Sequence, residues 1–595
     1  MGHYKSNLRD IEFNLFEVNR IQDYERTRSE LDRDTITDII TEIERLARED
    51  YSASYVVQDR IPLELVDGEV ALPDSVKASA AAFREGGWDR LGLPEEMGGM
   101  EAPPSLIWAM SEMLLAANTT VQFYAGGSLF ARVLFEEGTD AQKDFAKMWV
   151  DKGWAGTMVL TEPDAGSDVG AGTAKATDQG DGTWHIEGVK RFITSGEHDL
   201  TENIIHLVLA RPEGAAPGTK GLSLFVVPKY LVGANGELGA RNGVVATNIE
   251  KKMGLKGSTT CELTFGADVP AVGYLVGDRH DGIRQMFRVI EYARMMIGAK
   301  AMGTLSTGYL HALEYSKERK QGADLTRWTD KSAPRVPIID HPDVRRMLIT
   351  QKAHAEGMRA LVMYTAWVQD QARLHPDDDQ WDRKNNLLLP LVKGYSSEKA
   401  YELLSMALQV FGGSGYTQDY PLEQYIRDAR IDSIYEGTTG IQALDLFFRK
   451  IARDQGATLA ALAGEIVEFV KGGGDGDPLA EERVLLGGML DDTQAHLGSM
   501  VEDLMASVSG RSEAIYEVGL QTNHLLESMA ETVIAWLLLR HAEIAVARVD
   551  EDPFYRGKVE SARWFVRHTA PKATLRRSAA EAEDGHLMTI PVTAF

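Results

Sequence analysis

Three short stretches of this 595-residue chain hold residue types at spacings that can do chemistry. Residues 427–442 run from a helical pattern through Ile434-Tyr435-Glu436-Gly437 to Thr438-Thr439, and a threonine pair can cap a following helix. Glu436 then sits on a short connector between two helices, a placement that suits a carboxylate base aimed into a cavity. Taken alone, it also reads as a solvated glutamate beside a glycine turn. The second stretch is Thr161-Glu162-Pro163-Asp164-Ala165-Gly166-Ser167-Asp168, which follows the apolar residues 158–160. Such a loop exposes backbone N–H groups and hydroxyls that can cradle a phosphate or the polar edge of a ring, and on composition alone it is a polar turn. The third is residues 190–196. Phe192 and Thr194, two apart on a strand, face the same side and could stack on and hydrogen-bond a planar heterocycle. Its plain reading is an ordinary strand end.

The elements that must position these stretches follow from periodicity. Ile36, Ile39, Ile40, Ile43 and Leu46 recur at helical spacing over residues 34–49, and further helical patterns cover 75–85, 106–118 and 141–151. The methionine-containing apolar face of 105–117 reads as core. Near residue 155 the pattern shortens to alternating runs. Asp181-Gly182 between residues 174–177 and 184–186 is a hairpin signal, and 204–210, 222–227 and 259–265 read as strands. Residues 156–277 therefore predict a small antiparallel barrel or sandwich. Long helical segments return at 283–317, 341–371, 384–411 and 440–454, which predicts a bundle. The glycine-rich residues 472–476 mark a linker, and 479–509, 511–550 and 557–570 are again helical. Four regions result: 1–155, 156–280, 281–454 and 455–595.

In this order and in these contexts, the stretches resemble the acyl-CoA dehydrogenase family over about residues 75 to 453. The loop 161–168 matches that family's TEP-x-AGSD signature. Gly412-Gly413-Ser414-Gly415-Tyr416, with Pro421, Glu423, Arg427, Asp428 and then Ile434-Tyr435-Glu436-Gly437-Thr438, matches its second signature. The resemblance implies a multidomain α+β fold: an N-terminal α domain, a central antiparallel β-barrel, a four-helix bundle and an extra C-terminal helical domain. It implies FAD between barrel and bundle. Met158, Leu160, Thr161, Gly166 and Ser167 would line the flavin, with Thr161 at its pyrimidine side and Ser167 at its pyrophosphate. Phe192 stands where the family commonly has tryptophan, which keeps an apolar plate but loses an N–H, and Thr194 would bond the ring near N5. Arg319 and Gln321 match positions that reach the FAD pyrophosphate of a neighbouring subunit. Gln409, Gly412 and Gly413 match positions near its adenosine, so the site would need an oligomer. Thr438 and Gly440 follow the base; Gly440 replaces a frequent glutamine, so one FAD contact is lacking or supplied otherwise.

Glu436 aligns with the family's usual base. Some members place the base one residue before a characteristic arginine; here that arginine is Arg294 and the preceding residue is Ala293, which cannot serve. Glu291 and Arg294 would bind the CoA portion, with Ser167 and Gly437 also at the substrate. The implied reaction removes the α-proton with Glu436 and the β-hydrogen as hydride, giving the trans-2-enoyl-CoA of β-oxidation. Hydrogen bonds to the thioester oxygen would stabilise the enolate-like charge. Electron-transfer flavoprotein would be the acceptor. The opening residues 3–7 and 13–18 look like those of large bacterial members, which include broad-range fatty acyl enzymes and 3-methylmercaptopropionyl-CoA dehydrogenases, and a medium- to long-chain fatty acyl-CoA is the expected substrate. 3-Methylmercaptopropionyl-CoA is the alternative substrate. The residues after Asp454 are expected to cover the bundle face that tetrameric members bury, leaving a homodimer.

Composition narrows the classes. Lys and Arg number 63 against 89 Asp and Glu, a formal charge of −26, which repels phosphate backbones. Some relatives with C-terminal helical additions bind DNA, but that would need a basic tail, and the one basic stretch, 563–577, is followed by Glu581, Glu583 and Asp584. A non-catalytic scaffold is a third reading, against which Glu436 argues. The single Cys261 and the fourteen histidines show no metal-ligand spacing. No long apolar run predicts a membrane span, and the opening residues lack a signal-peptide core, so a cytoplasmic enzyme without nucleic acid or integral-membrane partners is expected.

Overall fold

A computed structural model describes residues 2–24 and 31–595. It comprises two compact units, Met1–Tyr4 with Ile39–Ala293, and Lys5–Asp38 with Arg294–Phe595.

In the first unit, helix α1 (Asp74–Glu85) buries Val76, Ser79, Ala80 and Phe83, one helical face. Helix α2 (Pro104–Ala125) is buried along most of its length, including Met110 and Met113, so its apolar face is core. It breaks at Asn118, where the backbone leaves the helical region. The Asn118 carboxamide oxygen accepts from the N–H groups of Thr120 and Val121, recapping the last turns. Helices α3 (Gly127–Glu137) and α4 (Asp140–Lys152) lead into the sheet.

Eight strands form one sheet: β1 (Ala155–Val159), β2 (Lys175–Asp178), β3 (Trp184–Thr194), β4 (Ile204–Pro212), β5 (Ser223–Pro228), β6 (Val244–Ile249), β7 (Thr260–Phe265) and β8 (Ala271–Leu275), and a short ribbon of Tyr230–Val232 with Leu238–Arg241 lies between β5 and β6 in the chain. Strands β4, β5, β8, β3 and β2 close a ring, because β2 pairs with both β3 and β4. β2 and β3 are the expected hairpin. The sheet is mostly antiparallel, but β1 and β2 both run parallel to β4. Alternation along β4 divides the core in two. Ile205, Leu207 and Leu209 pack with Trp149, Leu134 and Val150 of the helices. Val208 and Ala210 face Phe225, Leu263 and Ile186 inside the barrel. Cys261 belongs to this interior and is fully buried, which pushes its thiol up to about 12.

The second unit is helical. Helix α5 (Gly282–Glu318) crosses the border between the units; α6 (Pro342–Leu374) and α7 (Gln380–Phe411) continue the bundle. A short helix, Leu422–Ala429, then precedes α8 (Thr439–Leu444). Helix α9 (Ala457–Lys471) went unnoticed in the sequence, because apolar residues on nearly every face blur its period. The expected linker at 472–476 is instead a fastened turn between α9 and α10 (Ala480–Val508). Arg483 reaches back from α10 to Asp477 at 2.6 Å and to the Phe469 carbonyl. Helices α11 (Ala514–Val546) and α12 (Pro553–Glu581) complete a helical layer on α6 and α7.

That layer is packed at close range. A Cβ on Gly357 of α6 would stand 2.5 Å from Ile534 Cγ2 of α11. Ile534 is fully buried and β-branched, so it cannot swing aside. Gly357→Val is expected to destabilise the protein by about 2–3 kcal/mol through overpacking, measured by chemical denaturation.

The chain's start is locked into the same unit by buried charge. Asp10 accepts from Arg359 Nη1 at 2.6 Å and from Lys558 Nζ at 2.7 Å, and all three side chains are wholly buried. Arg359 also donates to Ser306 Oγ, and Lys558 lies 3.3 Å from Glu356. Glu17, Arg9, Arg548 and Tyr555 form a second network nearby.

Candidate active site

In the first unit, the 161–168 loop is built around one buried ion pair. Glu162 accepts from Lys190 Nζ at 2.9 Å, from the Thr173 N–H at 2.6 Å and from the Ala174 N–H at 3.1 Å. Burial opposes ionisation of Glu162, but Lys190 and these N–H groups hold its carboxyl below the usual range. Lys190 also donates to the Leu160 carbonyl, and the Arg191 N–H donates to the Thr161 carbonyl at 2.9 Å. The end of β1 and the end of β3 are thereby brought together, and with them Met158, Leu160, Thr161, Phe192 and Thr194. Gly166 and Ser167 are exposed, and a Cβ at Gly166 would meet nothing within 4 Å.

Phe192 departs from the strand alternation read from the sequence. The β3–β7 register shifts between Lys190 and Ile193, and Phe192 sits in the bulge with φ 61°. A bulky residue in the left-handed region is strained. Its ring is 55% exposed, with the Arg191 guanidinium 4.8 Å from its centroid. The bulge, not a period of two, aims this ring outward.

In the second unit, Glu436 is likewise left-handed, with φ 55°, and Gly437 follows at φ 87°, a conformation natural only to glycine. Thr438 then caps α8 by accepting from the Ile441 N–H, and the Thr439 hydroxyl donates to Glu398 at 2.6 Å. Two consecutive positive φ values between helical segments turn the Glu436 side chain out of the helical path. Glu436 is half-buried as a residue, with protein crowded around its carboxylate. Burial pushes its pKa up to about 7, against the opposing pull of Lys393 and Arg294. Gly440 is half-buried on the first turn of α8.

Arg294 has different surroundings from those expected. It is buried, and its Nη1 donates to Asp445 at 2.7 Å, so its guanidinium is engaged inside the helical unit rather than free for the CoA portion. Glu291 lies three residues earlier on α5 and is half-buried.

Arg319, Gln321, Gln409, Gly412 and Gly413 form a separate exposed group at one end of the bundle. Tyr315 of α5 stacks on Phe411 of α7 at 4.3 Å, which holds the two helix ends together. The imidazole of His341, at the N-terminus of α6, is hydrogen-bonded to the Gln321 carbonyl at 2.6 Å. Along α5, Arg294 and Arg319 are about 37 Å apart by helical rise.

The comparisons decide between readings. The chain matches the family models described as "Acyl-CoA dehydrogenase, middle domain" over residues 157–267, "Acyl-CoA dehydrogenase, C-terminal domain" over 280–449, and "Acetyl-CoA dehydrogenase C-terminal like" over 462–591. It is 52% identical to a broad-specificity linear acyl-CoA dehydrogenase, FadE5, of Mycobacterium tuberculosis, across 100% of both chains. The chain belongs to the acyl-CoA dehydrogenase family. It is also 35% identical to a 3-methylmercaptopropionyl-CoA dehydrogenase of Ruegeria pomeroyi, over 98% of this chain and 99% of that one. Among solved structures, an acyl-CoA dehydrogenase of Bacillus anthracis complexed with FAD shares the fold, with a TM-score of 0.73 at 19% identity, covering 94% of this chain and 91% of that one.

As an acyl-CoA dehydrogenase the protein is an oxidoreductase that uses FAD. The residues present fit that cofactor: a loop with an open glycine and exposed hydroxyls, beside an outward aromatic ring on strained backbone. Sequence reasoning missed Lys190 as the support of the loop, and Lys393 and Gln442, which bond the backbone beside Glu436. A lysine inside an apolar helical run, as in Leu391-Val392-Lys393, was the available signal for the second.

The basic stretch of α12 is not a free cationic face. Arg567 pairs with Glu481 and Glu482, Arg576 with Glu527 and Glu531, and Arg577 with Asp492 and Glu581. These partners neutralise the charge a DNA-binding tail would need. Among the described residues no helix is long and apolar enough to cross a membrane, and no metal-holding cluster is found.

Proposed function

We propose that this acyl-CoA dehydrogenase converts medium- to long-chain fatty acyl-CoA to the trans-2-enoyl-CoA, with Glu436 as the base. The observation that carries the reading is Glu436 itself, a carboxylate on a connector with two positive φ values and a pKa raised to about 7. A base poised near neutrality combines availability with driving force for taking a weakly acidic α-proton. FAD, when bound, supplies the acceptor for the β-hydrogen. Met158, Leu160, Thr161, Gly166, Ser167, Phe192 and Thr194 would hold it from the barrel side, with Thr438 and Gly440 beside the base. Ser167, Glu291 and Gly437 would meet the substrate, while Arg294 contributes positive charge near Glu436 from within its pair with Asp445.

The greater identity to a linear acyl-CoA dehydrogenase supports an unbranched fatty acyl group over the sulfur-containing one. The distance along α5 between Arg294 and Arg319 supports a homodimer, in which Arg319, Gln321, Gln409, Gly412 and Gly413 serve the FAD of the other subunit. Electron-transfer flavoprotein is the proposed acceptor of the electrons.

Anaerobic bleaching of the bound flavin by thioesters from propionyl- to palmitoyl-CoA, and by 3-methylmercaptopropionyl-CoA, tests the reading. Fast bleaching confined to medium and long chains supports it; bleaching by the methylmercapto substrate alone overturns it. The pH dependence follows from the raised pKa. Only ionised Glu436 can accept the proton, so kcat/KM is expected to rise with pH through about 7 and level off above it.

A further inference from the structure

The Glu436–Gly437 connector is fastened from behind by two buried side chains. Lys393 Nζ, on α7, donates to the Gly437 carbonyl at 2.6 Å. Gln442 Nε2, on α8, donates to the Glu436 carbonyl at 3.1 Å and to the Gly437 carbonyl at 3.3 Å. Both residues are 0% exposed. An ammonium at such depth carries a large desolvation penalty. Its hydrogen bond goes to a backbone carbonyl, which recovers little of that penalty, so packing alone gives no reason for a lysine here.

We infer that Lys393 is a positioning residue for the base: its ammonium fastens the Gly437 carbonyl and sets a positive charge behind the Glu436 carboxylate. This rests on the reading of Glu436 as the base. The groups facing Lys393 are Asp432 and Glu436 from the connector, Arg294 from α5 and Glu398 from α7 itself. Asp432, the strongest of these charges on Lys393, is bonded through one oxygen only, by Lys300 Nζ and by the Tyr435 hydroxyl, and its other oxygen is buried without a hydrogen bond, while Arg294 is engaged by Asp445. From α11, the residue closing over this part of α7 is uncharged: a Cβ on Gly394 would stand 2.9 Å from Leu526 Cδ1 and 3.4 Å from Gln442 Cβ. The C-terminal layer thus backs the two donors directly. Burial pushes Lys393 down to about 8, and Lys393 in turn opposes the rise of Glu436. The positive φ of Glu436 is held against its backbone preference, whereas glycine at 437 adopts its own freely, and three hydrogen bonds to the two successive carbonyls over-determine the connector.

The test is stopped-flow flavin reduction by octanoyl-CoA as a function of pH, on full-length FAD-bound enzyme, for Lys393→Met, Lys393→Gln and Glu436→Gln. Lys393→Met removes donor and charge. Its plateau rate is expected to fall about a hundredfold, and its acid limb to move at least about one pH unit higher. Lys393→Gln keeps a donor without the charge, so the same limb shift is expected with a smaller loss at the plateau. A dead Glu436→Gln enzyme beside Lys393 variants of wild-type rate and wild-type acid limb overturns the inference. An active Glu436→Gln enzyme instead overturns the assignment of the base. Should the Lys393 variants fail to retain FAD, Gln442→Met decides: it leaves the charge, so the plateau is expected to drop with the acid limb unmoved, and an unchanged plateau overturns the clamp.

Discussion

Glu436→Gln is expected to slow flavin reduction about ten-thousand-fold while FAD content and thioester affinity stay near wild type. Glutamine has the same length and the same tolerance for the φ of 55° at this position, so the connector keeps its shape. What is lost, on the proposed mechanism, is the group that takes the proton. The loss is therefore expected in the reduction step and not in KM, and stopped-flow traces against equilibrium binding of a thioester separate the two. A stability change is expected with it. The folded-state pKa of Glu436 lies above its ordinary value of 4.5, at about 7. Between those values the folded state binds more protons than the unfolded, so this group's contribution to stability falls as pH rises through the window and stays low above it. The glutamine variant lacks that loss and is expected to melt at a higher temperature than wild type at pH above 7, while matching it in acid. A variant that melts earlier at every pH would contradict this account of the site.

Asp10→Asn is expected to destabilise the protein by about 3–5 kcal/mol, because it removes the buried carboxylate that Arg359 and Lys558 share. Burial disfavours the charge on Asp10, but Lys558 and Arg359 overcome it and hold its pKa well below the usual carboxylate range. The stabilisation is thus complete above the unfolded value of 3.8 and is lost as pH falls below it towards the folded one. Denaturant melts of wild type and variant should converge in strong acid and diverge at neutrality. Replacing all three charges by apolar residues of similar volume is expected to cost less than Asp10→Asn alone, since both cations go with the carboxylate they share and Glu356 keeps Lys352.

How much was legible depended on whether the signal was local. Glu436, Gly437 and the capping threonines are consecutive in sequence, and their connector between helices was readable from composition. The 161–168 loop was readable for the same reason. Phe192 was found as a residue but placed by the wrong rule: strand alternation cannot reveal a bulge, which depends on the partner strand β7. Lys190 beside Glu162 and Lys393 behind Gly437 are separated by 28 and 44 positions, and no periodicity links them. Arg294 was matched to a position by resemblance, but its partner Asp445 lies 151 residues on, so its burial could not be read. In the barrel, turn chemistry announced β2 and β3, whereas the parallel pairing of β1 and β2 with β4 needs the third dimension.

The bond between Asp10 and Lys558 spans 548 residues. On a ribosome adding about 5–20 residues per second, roughly half a minute to two minutes passes between the emergence of one partner and the other. Throughout that time the segment around Asp10 has no completed berth, although the whole of Ile39–Ala293 has already been made and can fold. Phe13, Leu15 and Phe16, all buried in the finished protein, gain their full cover only when the last of these partners is made, since Phe13 packs on His541, Phe554 and Tyr555. A chain truncated before residue 558 lacks one of the two cations that hold Asp10.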